Sequence, residues 1–199
     1  MVDNYLLKEN ARKQLGNSIF ATKWLMVLLV AFIQSALVAV VSSATGGIGS
    51  IFISGTLYYG FVRILLSIIR SNAEVELSDL FCGFKENWEQ TFILGFLRSL
   101  LISLWSLLFV IPGIIKACSY GLATYIQHDS PNKNWKTCLD ESAKMMEGHK
   151  WQFFCLNLSF IGWYILGSLC FGIGTLFVIP YHETANANFY EALRAEYEN

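Results

Sequence analysis

Apolar residues in this chain come in blocks long enough to cross a bilayer, and the blocks follow one another with little between them. Each crossing needs about 20 predominantly apolar residues. A chain of 199 residues then holds about six helices and short connections, with no room for a separate soluble domain. Only 15% of the residues are charged and 54% are apolar, whereas a soluble domain carries about a quarter charged residues. The mean hydropathy of +0.45 agrees. The expected fold is all-α: a single polytopic transmembrane helical bundle of about six spans, with an N-terminal interfacial helix and short cytoplasmic surface helices.

Residues 1–17 read as an amphipathic helix lying on the cytoplasmic leaflet. Asp3 is its N-cap, and Leu6, Leu7 and Leu15 stand among Lys8, Glu9, Arg12 and Lys13. A signal peptide competes with this, because Trp24–Val41 is apolar and Ser42-Ser43-Ala44 resembles a cleavage site. The long, mixed-charge leader and the spans that follow at once speak against it. The spans are placed at 19–41, 51–69, 91–110, 112–129, 151–171 and 175–197. Gly46, Gly47 and Gly49 mark a tight turn after the first. The polar stretch 70–90 carries a surface helix with Leu77, Leu80, Phe81 and Phe84 on one face. A second surface helix, 134–147, has Trp135, Leu139, Ala143 and Met146 on one side. Pro112 suits the first turn of the fourth span. Gly172-Ile173-Gly174 marks a turn or kink before the last segment, which is apolar to Ile179 and polar beyond it.

Phe109-Val110-Ile111-Pro112 recurs as Phe177-Val178-Ile179-Pro180. Each copy follows an apolar span, so the pair reads as an internal repeat of one helix hairpin. Basic residues set the orientation. Lys8, Arg12, Lys13, Lys23, Arg70, Lys85, Lys133, Lys136, Lys144, Lys150 and Arg194 all fall on one side of a six-span chain, and the opposite turns hold none. Both termini are then cytoplasmic. The rival has five spans and an external tail, with Pro180 ending the fifth helix.

Catalytic patterns are missing: there is no G-x-S-x-G, no phosphate-binding loop and no H-E-x-x-H. His182-Glu183 begins like the last of these, but Asn186 stands where the second ligand would be. The five cysteines show no CxxC spacing and read as small hydrophobes. No metal, cofactor or catalytic residue is expected. A net charge of −1 argues against nucleic acid. The informative residues are ionisable groups in apolar context, which face a bundle interior or a cavity. Arg63 and Arg98 either snorkel to the headgroups or contact an anionic headgroup or substrate. Lys116 and Glu183 follow the repeated prolines at near-equivalent places, where helices four and six can pair them across the core; the alternative is a water-exposed position for each near the outer surface. That pair either fixes packing or serves transport. His182, Thr184, Asn186 and Asn188 add polarity to the last helix, giving a candidate intramembrane site of Lys116, His182, Glu183, Asn186 and Asn188.

Three stretches resemble an uncharacterised, mostly Gram-positive bacterial membrane family, domain of unknown function 975. They are Pro112-Gly113-Ile114-Ile115-Lys116-Ala117, Glu141-Ser142 with Met145-Met146-Glu147-Gly148-His149-Lys150, and Leu158-Ser159-Phe160-Ile161-Gly162-Trp163. Pro180-Tyr181 and Phe189-Tyr190-Glu191 fit as well. Cys118 and Gly121 depart from the pattern. The family is similar in layout to non-catalytic membrane domains attached to some glycerophosphodiester phosphodiesterases. The resemblance implies a multi-pass protein of the bacterial cytoplasmic membrane and supplies no residue roles. The expected function is non-enzymatic binding of membrane lipids or of a membrane-protein partner, a second copy included. The alternative is a small transporter or channel with a polar path between helices four and six.

Overall fold

The computed structural model describes residues 4–16, 21–71, 73–85, 88–108, 110–169 and 173–197. Among them there is no strand. The helices are α1 (Asn4–Leu15), α2 (Thr22–Thr45), α3 (Ile48–Ser71), α4 (Cys82–Lys85), α5 (Trp88–Leu108), α6 (Val110–Ser119), α7 (Ala123–Asp129), α8 (Trp135–Met145), α9 (Lys150–Leu169) and α10 (Ile173–Tyr197), with a 3-10 turn, Leu77–Phe81, before α4. Asp3, Phe109 and Gly172, expected as N-cap, repeat residue and turn residue, lie outside the described residues.

Among the described residues, four stretches are long and apolar enough to cross a membrane: Thr22–Thr45, Ile53–Ser71, Trp88–Leu107 and Lys150–Leu169. They match the first, second, third and fifth expected spans. The turn after the first closes at Gly46 and Gly47, and Gly49 already belongs to α3. Gly46 and Gly47 have φ of 63° and 92°, and Gly47 N–H donates to the Ser42 carbonyl at 2.8 Å. This is the 6→1 bond of a Schellman ending, whose left-handed backbone glycine adopts without steric cost.

The chain forms two compact units. In the first, comprising Met1–Ser35, Ile64–Leu77 and Trp151–Asn199, α1 packs along α10. Leu7, Ala11 and Leu15, spaced four apart, are fully buried, while Leu6 is exposed. Gly167 of α9 and Gly174 of α10 let the two backbones touch: a Cβ on Gly167 would stand 2.7 Å from the Gly174 carbonyl carbon. α10 runs on through Pro180, so that proline does not end it. Proline has no N–H for the carbonyl four residues earlier and opens the turn before it. Beside that turn, Trp24 Nε1–H donates to the Phe177 carbonyl at 3.2 Å.

The second unit comprises Ala36–Arg63 and Ser78–Lys150. Gly55 of α3 and Gly95 of α5 lie so close that a Cβ on Gly95 would stand 2.6 Å from the Gly55 Cα. Residues 77–85 correct the expected surface helix. They split into the 3-10 turn and α4 and lie along α3, with the Leu80 carbonyl on Gly60 and Gly83 on the Thr56 carbonyl. Leu80 and Cys82 are buried, whereas Leu77, Phe81 and Phe84 are exposed. The glycine at position 60 opens the groove that draws Leu80 inward and turns the other three out.

The expected fourth span, 112–129, is also two helices. Pro112 does sit in the first turn of α6, but the helix breaks at residues 120–122. Ser142 of α8 bridges the break: its Oγ donates to the Ser119 carbonyl at 2.7 Å and accepts from Leu122 N–H at 3.2 Å. α8 starts at the expected place, where the Asn134 side chain accepts from Lys136 N–H. Leu139 and Met146 of the expected face are buried, but Cys138, Ser142 and Met145 complete it, and Trp135 and Ala143 are only half-buried. The two Phe-Val-Ile-Pro copies occupy unlike places. Pro112 is the third residue of α6 and Pro180 the eighth of α10. Lys116 and Glu183 are therefore not equivalent by position. Four shared residues state a local steric preference, which a helix start and an opened helix interior both satisfy.

Candidate functional site

In the first unit α10 carries a polar cluster. Asn157 of α9 donates through Nδ2 to its own helix, at the Phe153 carbonyl, 2.8 Å away. That orients its Oδ1 toward His182 Nε2 at 2.7 Å. An amide oxygen only accepts, so Nε2 carries the hydrogen and Nδ1 accepts from the Tyr164 hydroxyl at 3.0 Å. The result is a neutral imidazole with both nitrogens engaged. Its ring also lies 4.7 Å from that of Phe160, over which Lys8 Nζ stands at 4.9 Å. Asn186, one turn on, brings Nδ2 to 3.4 Å from His182 Nε2, and its Oδ1 is buried without a partner among the described residues.

Asn188 belongs to a different contact. Its Nδ2 donates to Gln14 Oε1 at 2.7 Å, and Gln14 Nε2 returns a bond to Asn188 Oδ1 at 3.1 Å. Glu183 is half-buried on the same helix. The structure thus brings Asn186 beside His182, amide N–H against ring N–H with no bond between them, and leaves Asn188 to α1. Asn157, Tyr164 and Gln14 were not anticipated. Asn157 was visible as a lone amide between Leu156 and Leu158.

The second unit holds the other candidates, and their surroundings differ. Lys116 is half-buried with its ammonium 5.3 Å from the ring centre of Trp105 and 5.5 Å from that of Tyr120. Aromatic faces of this kind attract a cation electrostatically. Arg63 Nε faces Asp79 Oδ1 at 3.4 Å, so its charge is compensated. Arg98 has no carboxylate beside it among the described residues. Its Nη1 donates to Thr124 Oγ1 at a long 3.4 Å, and its guanidinium carbon stands 5.8 Å from the Tyr58 ring centre.

Gln127, three residues after Thr124 on α7, is only 1% exposed. Neither of its amide atoms has a partner among the described residues. Residues three apart share a helix face. Thr124 and Gln127 were also missed, and their spacing was the available signal. Among the described residues no three metal-ligating side chains come together. Cys82, Cys118 and Cys138 are buried free thiols, and Cys170 lies outside the described residues.

Fold and site define a helical protein that has, among the described residues, four helices fit to cross a membrane, with polar groups set among apolar ones. The chain belongs to the family described as protein of unknown function, DUF975, whose model matches residues 1–128 and 107–197. No curated protein and no solved structure matches it.

Proposed function

We propose that this chain is a multi-pass protein of the bacterial cytoplasmic membrane with both termini in the cytoplasm, that it catalyses no reaction, and that it binds membrane lipid. The observation that carries the reading is Arg98. It is the eleventh of the 21 residues of α5, half-buried, and without a carboxylate among the described residues. A charge within a span costs roughly 2.5–3.5 kcal/mol on insertion scales, and an anionic lipid component offsets that cost.

Two further crossings, the broken pair α6–α7 and the polar α10, complete six in this reading. α10 has 25 residues, a length of about 37 Å that exceeds the bilayer core, and every basic connection then lies on one side. A membrane-protein partner or a second copy would bind by the same non-enzymatic logic. The transporter reading rests on α10, where Thr184 Oγ1 and Asn186 Oδ1 are buried without partners among the described residues. The closed hydrogen bonds of His182 and Asn188 favour binding instead. Native mass spectrometry of the chain released from lipid nanodiscs tests the proposal: retained lipid is expected, and a bare chain would count against it.

A further inference from the structure

We infer that Arg98, Thr124, Tyr58 and Gln127 form a subsite for an anionic phosphate headgroup. The inference rests on the lipid-binding reading and narrows it to one place and one ligand chemistry. The two arginines expected at headgroup level separate here. Arg63 has Asp79 at 3.4 Å. Among the described residues, Arg98 has only one long bond to a hydroxyl, at 3.4 Å, and the face of Tyr58. A guanidinium presents several N–H donors in a fork that matches phosphate oxygens, and most of them are unused by the described residues.

Gln127 is the second, independent observation. A buried amide with neither its N–H nor its C=O paired among the described residues is uncommon, and such a group is suited to take a polar ligand. It shares a face of α7 with Thr124, the residue that Arg98 reaches. A phosphate oxygen accepts from Arg98 and from the Gln127 amide, and a headgroup hydroxyl donates to the Gln127 carbonyl. Arg98 lies ten residues from either end of α5, roughly 15 Å along its axis, so a headgroup meets it only by reaching inward, and Thr124 marks the path. Thr124 is five residues before Asp129, the last residue of α7, or roughly 8 Å along the axis, and the polar stretch 130–150 follows. A lipid headgroup therefore reaches this level from the side where the chain turns polar. A free phosphate ester offers the same oxygens.

The full chain is reconstituted in phosphatidylcholine nanodiscs, with or without phosphatidylglycerol, and its melting temperature is read. Phosphatidylglycerol should raise it. Arg98→Gln should remove that rise, with apparent affinity for phosphatidylglycerol falling by about tenfold or more, as for loss of a charged hydrogen-bonding group. Arg63→Gln, which removes the same charge elsewhere, should keep the rise. Gln127→Leu should melt higher than wild type in pure phosphatidylcholine, because an unpaired buried amide is gone, and should show a smaller rise. A structural role alone would not move the two readings in opposite directions. An equal rise from soluble glycerol phosphate in phosphatidylcholine discs supports the phosphate site and assigns its ligand to solution. A full rise in Arg98→Gln overturns the site and leaves lipid binding standing. Should Arg98→Gln fail to fold, an undiminished rise in Gln127→Leu overturns the site. The absence of any rise in wild type, with no lipid retained in native mass spectra, overturns lipid binding itself.

Discussion

Gln14 and Asn188, 174 residues apart in sequence, exchange two amide hydrogen bonds of 3.1 and 2.7 Å. This reciprocal pair ties α1 to α10, and it explains why a helix as polar as α10 buries Asn188. Side chains in direct contact show interaction energies of about 0.5–3 kcal/mol in double-mutant cycles. Gln14→Ala and Asn188→Ala should each destabilise the chain in detergent, and the double variant should lose less than the two effects added together. Strict additivity would mean that α1 does not dock through this pair.

The Gly167–Gly174 contact predicts opposite outcomes for two glycines of α9. A Cβ on Gly167 meets backbone at 2.7 Å, whereas one on Gly162 meets nothing within 4 Å. Gly167→Ala should lower the melting temperature. Gly162→Ala should be neutral or stabilising, by up to about 1 kcal/mol from helix propensity. Equal effects would disprove the close hairpin.

Ser142 makes a third case. Replacing it with alanine leaves the buried Leu122 N–H and the Ser119 carbonyl each without a partner. An unsatisfied buried group costs about 1–3 kcal/mol, so Ser142→Ala should destabilise by that order in denaturant unfolding from mixed micelles. No loss would place the break between α6 and α7 under other control.

Cys138 on α8 gives a pH dependence. Burial pushes its thiol up to about 11, with the Glu141 carboxylate adding to the rise and Lys133 opposing it. In the unfolded chain it ionises near its ordinary value of 9.0. Between those values the unfolded state binds fewer protons than the folded one, so stability falls as pH rises through this window. Cys138→Ala should flatten the fall in melting temperature over that range. At pH 8 the thiol should resist alkylation in the folded chain and react on unfolding. Rapid labelling of the folded chain would contradict the burial.

The long apolar runs were legible because a span announces itself by length and composition alone, and α2, α3, α5 and α9 follow them. Pro112 at the start of α6 was legible for the same local reason. The break at residues 120–122 was not, because it depends on a hydroxyl supplied from Ser142, in another helix. The inverted face of residues 77–85 depends on Gly60, whose missing side chain makes a groove that periodicity does not register. The candidate site divides likewise. His182, Asn186, Arg63 and Arg98 stood out as polar groups in apolar context, while their partners Asn157, Asp79 and Thr124 are set by packing. Shared residues at Pro112 and Pro180 suggested equivalent hairpins, and the earlier start of α10, packed at Gly174 against Gly167, sets them apart.

Lipid binding is the central claim, and native mass spectrometry of the full chain released from nanodiscs of mixed phosphatidylcholine and phosphatidylglycerol tests it most directly. The account predicts a peak one phospholipid heavier than the bare chain, enriched in phosphatidylglycerol over its share of the disc and lost in Arg98→Gln. A bare chain across all gentle activation energies, or lipid adducts that mirror disc composition and ignore Arg98, would contradict it.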